Sequence, residues 1–241
     1  MTKREVSAKQ PQGLDGLLEK IASLDKKNRP VVVFDLDDTL LSTNKRHLRI
    51  LKEFASKRGD AAKKLAGLAE ERLKYSIVET AKSVGISDAE LIEELKDFWF
   101  ERFFANEYIT ADHPVAGAPE YCREVAEVGA VVAYFTGRDE NMREGTLATL
   151  KAWGFPMPDE SKVFLILKPR FDMPDLDYKR EGLRRIAKLG PVAASFENEP
   201  AHINLFQEAF PESWLFLLET KHSGKPVKAH PSSRRIKDFR R

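Results

Sequence analysis

The stretch Val31-Val32-Val33-Phe34-Asp35-Leu36-Asp37-Asp38-Thr39-Leu40 decides how the rest of the chain is read. Four consecutive apolar residues, three of them β-branched, fit a strand buried on both faces, as in parallel sheets. The run breaks abruptly into carboxylates, and the carboxyl end of a buried strand is where open α/β sheets hold their ligands. Side chains of an extended chain alternate between faces, so Asp35 and Asp37 leave on the same side and can address one reacting group. A single Asp here would be an ordinary turn former. Three acids and a Thr directly behind the apolar run point to chemistry.

Working outward, further apolar runs at residues 130–135, 163–167, 192–196 and Trp214–Leu218 predict four more strands. Helical patterns over 140–153, 179–189 and 200–210 separate them. Strands alternating with helices require crossovers between parallel neighbours, hence an α/β fold with a doubly wound, parallel five-stranded sheet. The interval between the first two strands holds about seventy extra residues, too many for a crossover. It predicts helices over 44–57 and 60–84. A third is opened by the capping-box pattern Ser87-Asp88-Ala89-Glu90 and runs to about residue 106. This third helix carries Leu91, Leu95, Phe98, Trp99, Phe103 and Phe104, which fit either the insert's own core or the wall of a cleft facing the sheet. Residues 111–119, with His113, Pro114, Gly117 and Pro119, read as the return hinge. Before the first strand, Leu14, Leu17, Leu18, Ile21 and Leu24 recur at helical spacing.

At 241 residues the chain can bury one sizeable core and a smaller accessory unit. Its 42% hydrophobic and 32% charged residues include no run near the roughly 20 apolar residues of a membrane span. The basic N-terminus is not followed by the apolar segment of a secretory signal, and the expected location is cytoplasmic. The single cysteine, Cys122, falls in an apolar helical pattern and reads as a buried structural thiol. From Lys221 to Arg241 there are eight Lys/Arg and one Asp, a net charge of +7, against +2 for the whole chain. Such a tail is either a solvated end or an electrostatic hold on nucleic acid.

The pattern Asp35-Leu36-Asp37-Asp38-Thr39 resembles the first motif of the haloacid dehalogenase-like (HAD) hydrolase superfamily, and three companions follow in order. Thr136-Gly137-Arg138 after the second strand looks like the hydroxyl-bearing second motif. Lys179, at the start of its predicted helix, looks like the third-motif lysine. Glu197-Asn198-Glu199-Pro200 occupies the place of the acidic fourth motif, with Glu where the family usually has Asp. The resemblance implies a Rossmannoid core over residues 1–40 and 113–241 with an all-helical cap over 41–112. It further implies a magnesium-dependent phosphomonoester hydrolase acting on a small phosphorylated metabolite. Asp35 would attack phosphorus and form an aspartyl-phosphate, and Asp37 would serve as acid and then base. Thr136 and Gly137 would hold phosphoryl oxygens, and Lys179 would neutralise the phosphate and Asp35. Mg2+ would be held by Asp35, by Asp37 through its backbone carbonyl, and by Glu197.

Several assignments stay open at this stage. Glu199 is the reserve for Glu197, and Asn198 could orient a water or ligand. Lys168, at the end of the third strand, competes with Lys179; Lys168 and Arg170 could instead contact the substrate beyond its phosphate. The alternatives for function are a polynucleotide phosphatase, encouraged by the basic tail, and a non-catalytic phospholigand-binding protein, hinted at by Glu197.

Overall fold

The computed structural model describes residues 13–24 and 29–241, so the expected start of the core at residue 1 lies outside the described residues. Helix α1 (Leu14–Ser23) precedes strand β1 (Val31–Phe34), and a two-residue strand β2 (Leu41–Ser42) leads into the helical insert. The insert comprises α2 (Asn44–Arg58), α3 (Lys63–Ala66), α4 (Ile77–Ser83), α5 (Ala89–Phe103) and α6 (Asn106–Ile109). Strand β3 (His113–Pro114) returns the chain to α7 (Ala118–Glu127), β4 (Val131–Asp139), α8 (Arg143–Ala152), β5 (Val163–Lys168) and α9 (Asp175–Ala187). Then follow β6 (Val192–Glu197), α10 (Pro200–Ala209), β7 (Trp214–Leu218) and β8 (Arg234–Ile236).

The main sheet is parallel throughout, in the order β5-β4-β1-β6-β7-β8. The chain winds outward from β1 through β4 to β5, then returns to the other side of β1 with β6. That reversal opens a crevice at the carboxyl ends of the central strands, the usual ligand position of such sheets. The alternation of β1 fixes its two faces: Val32 and Phe34 join one apolar cluster with α1 and α7, while Val31 and Val33 join a second with α9 and α10. Gly182 lets α9 approach β4, since a Cβ there would lie 2.2 Å from the Phe135 ring.

The sheet has six strands rather than the expected five. β8 was unreadable because Arg234-Arg235-Ile236 has no apolar run; it pairs at the edge of β7, with the Arg234 guanidinium 4.0 Å from the Trp214 ring centre. The basic tail is therefore folded onto the core. Phe239 is buried and donates its N–H to Ala116 O at 2.8 Å, and Arg241 pairs with Asp15 and Glu124. Gly117, at φ 78°, lies so close to the Phe239 backbone that a Cβ would meet it at 2.8 Å.

In the insert, the expected continuous helix over 60–84 is broken into two short helices, α3 and α4. Gly67 and the Ser76 cap, which accepts Glu79 N–H, punctuate the apolar pattern. Leu65, Leu73, Ile77 and Ala81 still bury together against Leu51, Phe54 and Leu95. The expected cap of α5 moves one residue, because Asp88 rather than Ser87 accepts Leu91 N–H, at 2.8 Å. β2 and β3 pair antiparallel, so the outgoing and returning passes of the insert are tied together.

Candidate active site

β1 delivers its carboxylates into a tight turn. Asp35 N–H donates to Phe196 O at 3.0 Å, which holds it in the β1–β6 crevice, and Leu41 N–H closes the turn on Leu36 O at 2.9 Å. Asp38 takes φ 54°, a conformation Asp tolerates better than most residues, and its carboxylate accepts the Thr43 N–H and hydroxyl, each at 3.1 Å. The six residues singled out in the sequence, Asp35, Asp37, Thr136, Gly137, Lys179 and Glu197, all line one cavity of about 280 Å³.

Two buried charge clusters meet at that cavity. In the first, Lys179 Nζ donates to Asp35 Oδ1 at 2.8 Å, to Glu197 Oε2 at 3.1 Å and to Phe135 O at 2.7 Å. One ammonium faces two carboxylates. Burial and the neighbouring Glu197 charge outweigh Lys179 and raise the Asp35 carboxyl to about 7. Burial would raise Glu197 as well, but Lys179 and His202 hold it down at about 2. Lys179 stays firmly protonated, its desolvation overcome by the two acids.

In the second cluster, Arg138 donates to Asp37 Oδ2 at 3.1 Å and Oδ1 at 2.6 Å, and to Asp112 Oδ2 at 2.6 Å. Arg46 reaches Asp37 Oδ1 at 3.2 Å and Asp112 Oδ1 at 2.8 Å, with a further close contact to Asp112 Oδ2. Two guanidiniums match two carboxylates. Burial of Asp37 is overcome by Arg138 and then Arg46, which hold its carboxyl at about 2. Because Arg46 comes from α2, the network also fastens the insert to the sheet.

β4 continues to Asp139 instead of ending at Phe135, with a register shift between those residues. Thr136 and Gly137 thus sit on an irregular strand extension rather than in a loop. The buried Thr136 hydroxyl accepts Arg138 N–H at 3.3 Å, which leaves its own proton for an acceptor in the cavity. Lys179 lies in the second turn of α9, which starts at Asp175 rather than at Lys179 itself. Its competitor Lys168 turns to Asp175 Oδ1 at 2.8 Å and Met173 O at 3.0 Å, and Arg170 pairs with Asp172. Neither Lys168 nor Arg170 lines the cavity.

A hard cation such as Mg2+ takes oxygen donors and is commonly held by one or two carboxylates together with substrate phosphate. Among the described residues no group of three or more His, Cys, Asp or Glu side chains converges as a metal cage. The donor set present nevertheless suits such an ion. Thr39 has one hydroxyl proton for two acceptors, Asp35 Oδ2 and Asn198 Oδ1, each 3.3 Å away, so at least one oxygen keeps a lone pair to offer. The raised Asp35 carboxyl marks a surplus of negative charge there. Glu197 Oε1 turns back to accept Asn198 N–H and Glu199 N–H, at 3.1 and 3.2 Å. Glu199 accepts the Ser223 hydroxyl at 2.8 Å.

Arg46, Asp112, His47 and His202 were not singled out from the sequence. His202 was the accessible one, because it stands on the first turn of α10 just after Glu197, whose Oε2 lies 3.7 Å from its Nδ1. Burial lowers the pKa of His202, but Glu197 more than compensates and raises it.

No protein-family model matches this chain, and no curated protein matches it in sequence. Solved structures do. A Clostridium difficile protein assigned as a phosphatase is 13% identical, with 87% of this chain and 94% of that one covered and a TM-score of 0.58. CbbY from Rhodobacter sphaeroides, solved with phosphate, is 16% identical over 88% of this chain and 95% of that one, with a TM-score of 0.51. A variant of the same protein, solved with xylulose-(1,5)bisphosphate, gives 0.52 at the same identity and coverage. At such identities the likeness is one of fold, and the same fold is shared with a HAD-superfamily hydrolase from Geobacter sulfurreducens, 14% identical over 88% of this chain and 93% of that one with a TM-score of 0.51.

Proposed function

We propose that this chain is a magnesium-dependent phosphomonoester hydrolase that works through an aspartyl-phosphate on a small phosphorylated metabolite. The observation that carries the reading is the convergence of Asp35, Lys179, Glu197 and the Thr136 hydroxyl on one cavity at the switch point of the sheet. Asp35 supplies the nucleophile: its carboxylate oxygen bonds to phosphorus as the phosphorus–oxygen bond to the leaving group breaks. Thr136 and the Gly137 backbone N–H receive phosphoryl oxygens, and Lys179 holds Asp35 in line while countering the charge. Asp37, kept ionised by its arginines, suits the removal of a proton from the water that then attacks the acyl phosphate. The proton for the leaving oxygen can enter with the substrate through Asp37, because a phosphate monoester takes up its second proton near pH 6. Mg2+, held by Asp35, the Asp37 carbonyl and either Glu197 or the Asn198 amide oxygen, would relieve the repulsion between acids and phosphate.

Residues 41–112 form a cap on a core whose described part is residues 13–24, 29–40 and 113–241, and the cap selects the substrate. Its own apolar cluster and the paired passes β2 and β3 support that division. A nucleic-acid substrate is disfavoured, because the basic tail that suggested it packs against the core through Phe239 and Arg241. A cytoplasmic location belongs to the same reading; no helix among the described residues is long and apolar enough to cross a membrane. A screen of phosphorylated metabolites with and without magnesium tests the whole. Turnover that needs the metal supports it, and an inactive protein that still binds phosphoesters would make it a phospholigand-binding relative instead.

A further inference from the structure

Apart from the exposed Phe100, the aromatic residues of α5 and of its C-terminal cap, Phe104, divide into two sets. Phe98 packs edge-on against Phe54 inside the insert, with ring centres 5.4 Å apart. Trp99, Phe103 and Phe104 face the other way and line the cavity beside Asp35. Trp99 and Phe103 stack at 4.5 Å, and the His47 ring lies 4.8 Å from Phe103 and nearly parallel to Trp99. The cavity therefore has a polar floor of Asp35, Thr136 and Lys179 under an aromatic wall.

We propose that this cavity accepts a small phosphomonoester whose leaving group carries one planar aromatic ring with a hydrogen-bond acceptor at its edge. The inference rests on the hydrolase reading above and names the substrate class for that same site. Size limits the leaving group to about one ring: 280 Å³ is just below the roughly 300–1,000 Å³ of typical ligand pockets, which leaves little room beyond a phosphoryl group. Charge excludes a second anionic group. The cations on the cavity wall are each engaged: Arg138 with Asp37 and Asp112, Lys179 with Asp35 and Glu197, and Lys221 with Asn44 and Asp38. Sugar bisphosphates lack a second cradle here.

His47 supplies the edge contact. It is buried, and its Nδ1 accepts the Trp99 indole N–H at 3.0 Å, which puts the ring proton on Nε2. Burial, with Lys221 and Arg46 nearby, keeps this imidazole neutral down to about pH 3. Among the described residues Nε2–H has no acceptor, and His47 lines the cavity. A ring nitrogen or oxygen on the substrate would complete it.

Benzyl phosphate and cyclohexylmethyl phosphate test the idea, because they match in size and in leaving alkoxide but differ in aromaticity. With magnesium present, kcat/KM for the benzyl ester should exceed that for the saturated one by about tenfold, the worth of one aromatic pair. The ratio should fall toward one in Trp99→Leu and persist in Trp99→Phe, with melting curves confirming that both variants fold. A pyridylmethyl phosphate should outperform the benzyl ester in the wild type, and His47→Phe should erase that advantage. Equal turnover of both esters, abolished by Asp35→Asn, would overturn the aromatic preference and leave the hydrolase standing. Failure to hydrolyse any ester would overturn both.

Discussion

The two charge clusters at the strand ends lie side by side in the same fold and are built on opposite terms. Around Asp37, two guanidiniums and two carboxylates cancel and hydrogen-bond one another. Around Asp35, two carboxylates share one ammonium, and the Asp35 carboxyl is pushed up to about 7. A balanced buried network gains nothing from a ligand and fixes geometry. An unbalanced one is held in the folded state at a cost and is relieved when a cation or a reacting centre arrives. The difference separates two kinds of work: Arg46, Arg138 and Asp112 join insert to sheet and hold Asp37 ionised at the cavity edge, while the Asp35 cluster keeps an unmet charge.

Asp35→Asn breaks the unbalanced cluster and should have the largest effect. Turnover should fall by several orders of magnitude, because the amide is no nucleophile. Stability should move the other way. An acid whose folded pKa is raised from 3.8 to about 7 carries no penalty below pH 4 and the full penalty above pH 7, so the native protein loses stability across that window as pH rises. In the metal-free protein the variant should gain little at pH 4 and about 1–3 kcal/mol at pH 8. Chemical denaturation at both pH values measures it; a variant destabilised at pH 8 would mean that Lys179 already balances the site.

The balanced cluster is broken by Asp112→Asn, which leaves Arg46 and Arg138 underpaired where no water reaches. Removing one member of a buried ionic network costs about 3–5 kcal/mol. The double replacement Arg46→Met with Asp112→Leu should cost less than Asp112→Asn alone, since it withdraws one charge of each sign. Urea unfolding of the three proteins decides the order. If the single and double variants were equally stable, the network would be loosely solvated and could not fasten α2 to the sheet.

What the sequence disclosed follows the same division. Asp35, Thr136 and Glu197 were legible because each stands at the exit of a strand whose apolar run marks it, and Lys179 because its helix leads directly into β6. The partners of Asp37 were not. Arg46 and Asp112 lie 66 residues apart, and only the folding back of the insert through β2 and β3 brings them together. Arg138 stood in the second motif, but nothing in its sequence context pointed to Asp37 and Asp112 as its partners. β8 escaped for a different reason, since three residues of an edge strand carry too short a pattern to distinguish from a basic tail. The insert's broken middle shows the limit of periodicity, because Leu65, Leu73 and Ile77 keep helical spacing although the backbone between them does not.

The smallest expected effect sharpens the comparison inside the acidic cluster itself, by asking which fourth-motif side chain answers to the metal. Chelation should remove activity and magnesium restore it, because the donors at the site are oxygens. Glu197→Gln should raise the magnesium concentration needed for half-maximal turnover more than Glu199→Gln does, since Glu197 lies against Lys179 and Asp35 while Glu199 is turned to Ser223. Asn198→Ala separates two ways in which Glu197 could matter. Glu197 Oε1 is already taken by two backbone N–H groups and Oε2 by Lys179, whereas Asn198 Oδ1 shares its hydroxyl donor with Asp35. Should Asn198→Ala raise the magnesium requirement more than Glu197→Gln, the amide oxygen is the ligand and Glu197 acts by holding Lys179 in place. A magnesium titration followed by the melting temperature gives the same ranking without turnover. A shift unchanged in all three variants would move the ion away from β6 altogether.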